Sequence, residues 1–325
     1  MLGSLARAVF ERASQSPAGR RLAVLIYHRV PPLPDPLLPY EPDAEAFERT
    51  MRWIGTTFNV LPLEQAVRDL KAGNLPPRAM SITFDDGYEN NATVAAPILE
   101  RLGLHATFFI ATGYLDGGLM FNDAVVEAVR ACPGTEFDLT SLSLGQHRVG
   151  SLDERRATID AILNVIKYHD ERERADMARA IAESARVELP RNLMMTSEQA
   201  AALARAGFAL GAHTVSHPIL AKLDDHTARR EIIDGKLRLE EISGGPVNLF
   251  AYPNGRPDRD YSGATARFVR EIGFDGAVST SMGVAEVGSD PYQIPRFTPW
   301  DVRPLRFAAQ LWSNFYRVEP SYATT

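Results

Sequence analysis

Short runs of aliphatic and β-branched residues alternate along this chain with stretches whose apolar positions recur every three or four residues. LAVLIYH (22–28) is almost wholly apolar, and a run that short reads as a buried strand. DAEAFERTMRWIG and LEQAVRDLKAG follow with helical spacing, the second ending on Gly73. AMSITF (79–84) predicts the next strand, NNATVAAPILERLG a helix closed by Gly103, and HATFFIAT (105–112) a third strand. The rhythm resumes later with SEQAAALARAG, FALGAH, DDHTARREIIDGKLRLEEISG, NLFAYP, GATARFVREIG and FDGAVST, helix and strand in turn. Such alternation builds a parallel sheet with crossover helices. The predicted fold is α/β, a (β/α) barrel, in which polar strand ends gather on one rim. An open doubly wound sheet usually begins with a glycine-rich phosphate turn, and neither G-x-G-x-x-G nor G-x-x-x-x-G-K occurs here.

Residues 114–195 break the rhythm with FNDAVVEAVRAC, a loop rich in Ser, Leu and Gly, and two further helical stretches, LDERRATIDAILNVIKYH and ERERADMARAIAESA. The predicted organisation is an N-terminal helical segment (1–20), a barrel (21–113 and 196–303), a helical insertion (114–195) and a C-terminal segment (304–325).

A hydrophobic fraction of 45% over 325 residues is enough for one large core. The formal net charge of -6, with no Lys/Arg block, speaks against a nucleic-acid partner. Cys132 is the sole cysteine, so no internal disulfide can form. No apolar run reaches the roughly 18 residues of a membrane span. MLGSLARAVFERASQ lacks the h-region of a signal peptide and reads as an amphipathic helix packed on the chain's own surface. Arg7, Arg12, Arg20 and Arg21 are the residues that would meet anionic lipid if that segment lay on a membrane. The expected location is the cytoplasm.

Four strand ends carry candidate chemistry. SITFDDGYEN (81–90) closes a strand with Asp85 and Asp86, followed by Gly87 for a tight turn. Strand neighbours point to opposite faces, but a turn can swing both carboxylates to one pocket, where a cation relieves their repulsion. A bare DDG also serves as an Asx turn and helix cap. GAHTVSHPIL (211–220) places His213 and His217 four apart, so one helical turn would put both imidazoles on one side of a metal ion. Pro218 limits that turn to a short one. Asp86, His213 and His217 together make a two-His, one-carboxylate set with open metal positions. FAYPNGR (250–256) is a sharp turn at a strand end that can aim a backbone N–H at the pocket, or be a turn and nothing more. His28 ends the first strand on the same rim, where a lone histidine is more often structural than chemical.

TFDDG, HTVSH and AYPNG, in that order, resemble the polysaccharide deacetylase family, also called NodB-homology or carbohydrate esterase 4, over residues 22–300 outside the insertion. The resemblance implies a distorted (β/α) barrel, a divalent metal, commonly Zn2+, and hydrolysis of N-acetyl groups on amino sugars in a polysaccharide or glycan precursor. It implies Asp86, His213 and His217 as metal ligands and Asp85 as catalytic base. It also implies the Asn254 backbone N–H as oxyanion donor. Departures are visible. Ala251 stands where the family's R-x-P-Y has arginine, Asn254 replaces its tyrosine, and the D-x-x-D-W and C-terminal L-x-H stretches are absent. A subgroup similar to poly-N-acetylglucosamine deacetylases carries an extra histidine in a Tyr-His pair on an N-terminal strand. Tyr27 and His28 fit it, which makes His28 the expected general acid. Arg296, in QIPRF, is the expected substitute for the missing arginine beside Asp85.

Three other readings share these residues. Iron-dependent oxygenases use the same ligand set, but usually on all-β barrels. Hydrolysis of another small or lipid-linked amide fits the same fold. A non-catalytic glycan-binding module would explain the lost motifs but not the retained ligand set.

Overall fold

The computed structural model describes residues 2–167, 169, 171–299, 301, 303–316 and 321–324. The predicted segments run outside the described residues at Met1, Tyr168, Asp170, Trp300, Val302, 317–320 and Thr325. The chain divides into two compact units, one of 1–34, 40–115 and 195–325, the other of 35–39 and 116–194.

The larger unit is built on six main strands: β1 (Leu22–Tyr27), β2 (Ala79–Phe84), β3 (Thr107–Ile110), β4 (Ala209–Ala212), β5 (Leu249–Ala251) and β6 (Gly276–Val278). They lie side by side in chain order, every neighbouring pair parallel. A short strand, Asn59–Val60, adds to the start of β2. Every residue of β1 and β2 is buried, which suits the apolar run of β1 and the largely apolar one of β2: parallel strands are covered on both faces. The curled sheet is of the (β/α)-barrel type.

The segment after β6 bridges its two edges. Ile294 pairs with Val278 of β6, and three residues on Phe297 pairs with Leu25 of β1. Four backbone hydrogen bonds hold the bridge: Ile294 N to Ala277 O (2.9 Å), Ser279 N to Ile294 O (2.8 Å), Phe297 N to Val24 O (2.7 Å) and Ile26 N to Phe297 O (3.1 Å). Arg296 therefore sits where the first and last strands meet.

The crossover helices begin and end where the sequence supplies caps. Asp43 accepts from Ala46 N to start Ala44–Thr57, whose Phe47, Met51 and Ile54 are buried. Gly73 ends Leu63–Ala72 in the left-handed conformation. Thr196 and Gln199 form a capping box on Ser197–Arg205, and Ser262 and Thr265 another on Gly263–Ile272. The helix predicted from Asn90 opens with a π-helical turn, Asn91–Ala95, before Ala96–Leu102. The strand predicted over 105–112 is shorter than its pattern, because residues 112–114 turn away to hydrogen-bond the loop after β4.

The N-terminal helix, Leu2–Ala13, packs Phe10 against Phe58, Trp53 and Phe315, with ring centroids 4.9, 5.9 and 5.8 Å apart. Phe315 belongs to a helix, Pro304–Phe315, within the segment predicted only as C-terminal. Among the described residues no helix is long and apolar enough to cross a membrane.

The smaller unit holds three helices, Phe121–Ala131, Leu152–Ile166 and Glu171–Ala185. The Ser/Leu/Gly-rich stretch, read as a loop, forms an antiparallel pair, Glu136–Leu139 with Gly145–Arg148. Its strand character is masked in the sequence because only Phe137 and Leu139 face the core. That core gathers Val125, Val129, Ile159, Ile162 and Ile181 around Leu37. Asp35 joins this unit through a two-pronged ion pair with Arg130 at 2.6 and 3.0 Å.

Candidate active site

Alternation along β2 decides where the first carboxylate goes. Ser81, Thr83 and Asp85 share one face by the two-residue repeat of a strand. Arg296 touches both of the last two, donating to Thr83 Oγ1 at 3.2 Å and to Asp85 Oδ1 and Oδ2 at 2.7 Å each. Its Nε donates to Ser279 O at 2.9 Å, and its side chain has no exposed surface. By the same alternation Asp86 would point away. It does not, because its φ of 75° turns the chain back on itself, and Gly87 follows at 90°. A Cβ on Gly87 would stand 2.9 Å from Ile110 Cγ2, so the turn has room only for glycine.

The histidine pair follows β4 in a different conformation from the one expected. Residues 213–217 form a loop, not a helical turn. Thr214 and His217 adopt left-handed φ values of 65° and 55°. A β-branched residue there costs about 1–3 kcal/mol, strain of a kind that persists where surrounding contacts over-determine the backbone. Pro218 disfavours helical geometry at His217, and Thr214 Oγ1 takes the His217 N–H at 3.1 Å in place of a helical carbonyl. The loop still brings the two imidazoles together, with ring centroids 4.7 Å apart.

One oxygen of Asp86 and one ring nitrogen from each of His213 and His217 lie within 4.8 Å of one another. Asp86 Oδ1 is 3.4 Å from His213 Nε2 and 3.5 Å from His217 Nε2, buried, and without a hydrogen bond among the described residues. His213 Nδ1 donates to Ala251 O at 2.8 Å, which leaves its Nε2 lone pair facing Asp86. Three such atoms converging on one point repel unless a proton or cation lies among them. This donor set fits a divalent cation of the zinc type.

The electrostatics separate the two aspartates. Burial pushes the Asp85 carboxyl up, but Arg296, with His213 and His28 behind it, outweighs burial and holds it below the usual carboxylate range. Burial likewise opposes ionisation of Asp86, and His213, His217 and His28 reverse it more strongly. Burial pushes the His213 imidazole down, and the two carboxylates more than offset that, leaving it raised. Asp85 Oδ2 is 3.9 Å from His213 Nε2, farther than Asp86 Oδ1 at 3.4 Å, so Asp85 is held by Arg296 while Asp86 lies nearer the two histidines.

His28 follows β1 directly. Its carbonyl accepts from Asn91 Nδ2 at 2.7 Å, and a positive charge on its ring would favour ionisation of both Asp85 and Asp86. Half-buried Glu41 lies beside it, accepting from Arg29 N at 3.3 Å. Burial raises the Glu41 carboxyl, and the nearby His28 and Arg29 offset that only in part. Glu41 was not legible as a site residue, since it stands in a Pro-rich stretch before a helix cap. Asn254 is half-buried with a φ of 58°, and its carbonyl accepts from Thr280 Oγ1 at 2.7 Å. Ala251 contributes the carbonyl that orients His213.

A sequence profile described as polysaccharide deacetylase matches residues 72–276. The protein YxkH of Bacillus subtilis (strain 168), described as a polysaccharide deacetylase, is 21% identical over 278 residues, 85% of this chain and 70% of its own length. Among solved structures, Streptococcus pyogenes deacetylase PplD in complex with acetate superposes with a TM-score of 0.60 at 18% identity, covering 92% of this chain and all of PplD. IcaB from Ammonifex degensii gives 0.54 at 18% identity over 91% of this chain and 98% of its own. The BpsB deacetylase domain from Bordetella bronchiseptica gives 0.52 at 18%, over 86% and 95%. At these identities the structural matches speak for the fold, and the profile, which spans more than half of the sequence, speaks for descent. The chain belongs to the polysaccharide deacetylase family.

Proposed function

We propose that this protein is a metal-dependent hydrolase that removes N-acetyl groups from an amino-sugar glycan, with a substrate of the poly-N-acetylglucosamine type. The observation that carries the reading is the division of labour at β2: Asp85 is paired with Arg296, while Asp86 faces His213 and His217. A hydrolase of an unactivated amide needs one ionised carboxylate that is not itself a cation ligand beside a site that polarises the carbonyl.

Asp86, His213 and His217 are assigned as the cation ligands. A divalent ion bound there would supply Lewis-acid chemistry, polarising the amide carbonyl and acidifying water. Asp85 takes the proton from the attacking water as the new C–O bond forms. The Asn254 backbone N–H is assigned to the oxyanion. His28 is assigned to protonate the amine as the C–N bond breaks, giving acetate and a free amino sugar. Arg296 orients Asp85 and keeps it ionised.

The test is acetate release from N-acetylated glycans of graded length, with and without chelator. Chelator-sensitive release supports the reading, and a chain that binds glycan and zinc but releases no acetate from any of them overturns it. A small or lipid-linked amide substrate would appear as release from those compounds alone.

A further inference from the structure

We infer that Glu231 is a positioning residue for the cation site: it grips the loop that carries His217 and so sets the spacing of the two imidazoles. The inference rests on Asp86, His213 and His217 being that site.

The loop between the histidines has no helix or strand to satisfy its backbone. Its carbonyls are taken by the turn after β3. Thr112 N donates to Thr214 O (3.2 Å), Gly113 N to Val215 O (2.8 Å) and Tyr114 Oη to Ser216 O (2.8 Å). Two of its amides go to one side chain. Glu231 Oε2 accepts from Val215 N at 3.0 Å and Ser216 N at 2.9 Å, and Oε1 accepts from Ser216 Oγ at 3.0 Å. The two backbone N–H groups can only donate, so they require an acceptor oxygen between them, whereas the Ser216 hydroxyl can donate to a carboxylate or accept from an amide NH2.

Glu231 lies on the helix Asp225–Ser243, and the helix is shaped for this contact. Gly235, one turn further on, abuts Thr214, and a Cβ there would stand 2.8 Å from the Thr214 carbonyl carbon. The absent side chain brings the helix close enough for a half-buried glutamate to reach the loop. His213 is oriented through its own ring by Ala251 O, whereas the His217 backbone is placed through Thr214 and the gripped residues 215 and 216. Loss of the grip therefore reaches the metal through His217.

The measurement is titration of the full chain with Co2+ and with Zn2+, following Co2+ by its visible absorption. Glu231→Gln, Glu231→Ala and a control, Glu240→Ala, are compared with the unaltered chain. Glu240, on the same helix, holds Val247 N (3.1 Å) and Lys236 Nζ (2.6 Å), away from the histidine loop. Glu231→Ala is expected to bind about 10–100-fold more weakly, as for other residues that orient metal ligands, with a changed Co2+ spectrum, and Glu231→Gln, whose Oε1 can accept from both amides while its NH2 donates to Ser216 Oγ, to keep most of the affinity. Glu240→Ala is expected to lose thermal stability and keep its affinity and spectrum. Unaltered affinity and spectrum in Glu231→Ala would overturn the inference, as would an equal loss of affinity in Glu240→Ala. An unaltered chain that binds neither ion overturns the cation reading itself, a result distinct from either.

Discussion

Arg296 and Asp85, 211 residues apart in the chain, meet through two parallel hydrogen bonds of 2.7 Å in full burial. The planar guanidinium matches both carboxylate oxygens at once, a geometry that lysine cannot reproduce. Removing one partner from such a pair typically costs about 3–5 kcal/mol, because the other charge is left buried alone. Burial by itself would raise the Asp85 carboxyl, and Arg296 is the main reason that it is lowered instead. The folded-state value being depressed, the pair stabilises the fold above the ordinary carboxylate pKa of about 4 and loses that contribution as pH falls through the folded value.

Arg296→Gln should move the acid limb of the rate profile upward. With the guanidinium gone, the burial that opposes ionisation is no longer outweighed, and a base must be ionised to act. An Arg neighbour typically lowers an Asp by about 1–3 pH units, and a shift of that order is expected in the lower inflection of kcat against pH. An unchanged inflection, with kcat reduced equally at all pH values, would mean that Arg296 does not govern the ionisation of Asp85.

Asp85→Asn is expected to retain stoichiometric zinc and lose about 10²–10⁴ in kcat, the usual cost of a general base. Asp86→Ala, His213→Ala and His217→Ala should lose metal and activity together. Elemental analysis of the purified variants checks both statements. Zinc retained in all three of the latter would sink the ligand assignment, and a metal-free Asp85→Asn would reverse the roles of the two aspartates.

His28→Ala should leave metal content intact and lower kcat on an N-acetylated glycan by about 10²–10⁴, while sparing an activated aryl acetate whose leaving group needs no proton. Equal losses on both substrates, accompanied by a fall in Tm, would identify His28 as a support of the strand end instead of an acid.

Gly235→Ala tests the helix contact without touching any polar group. Its Cβ would meet backbone, which cannot swing aside, so a destabilisation of about 1–3 kcal/mol is expected in chemical denaturation. Half-buried Gly245 has nothing within 4 Å of a built Cβ, and Ala there should be neutral. Equal stability of the two variants would show that the helix and the loop are not packed as described.

Chelation should lower Tm reversibly in the unaltered chain and have no effect on Asp86→Ala. Ligand binding to the native state alone stabilises by about 2.7 kcal/mol at a free concentration 100 times Kd. A chelator effect of the same size in both chains would point to a metal site elsewhere.

The alternation of apolar runs with helical periods was enough to identify a β/α barrel. Short, largely apolar strands such as LAVLIY and AMSITF suit a parallel sheet covered by helices. TFDDG and HTVSH resembled the family's motifs and put chemistry at the ends of two strands, β2 and β4. Local signals placed two helix ends, since Gly73 and Gly103 close their helices in the left-handed conformation. Where local and tertiary preferences disagreed, the pattern misled. Spacing of four suggested a helical turn at 213–217, but the loop's hydrogen bonds run to residues 112–114 and to Glu231.

What the sequence determined by itself was therefore the six main strands and their alternation with helices, consequences of periodicity, and the candidate residues at the strand ends, which its motifs named. Tertiary structure alone decided how those residues face one another. The left-handed turn at Asp86 that breaks the strand's alternation, the bridge at 294–297 that carries Arg296 to Asp85, and the approach of Gly235 that lets Glu231 reach the histidine loop join positions up to 211 residues apart. Such contacts leave no period in a sequence, because a single guanidinium or carboxylate satisfies donors and acceptors from distant elements only after the sheet has closed.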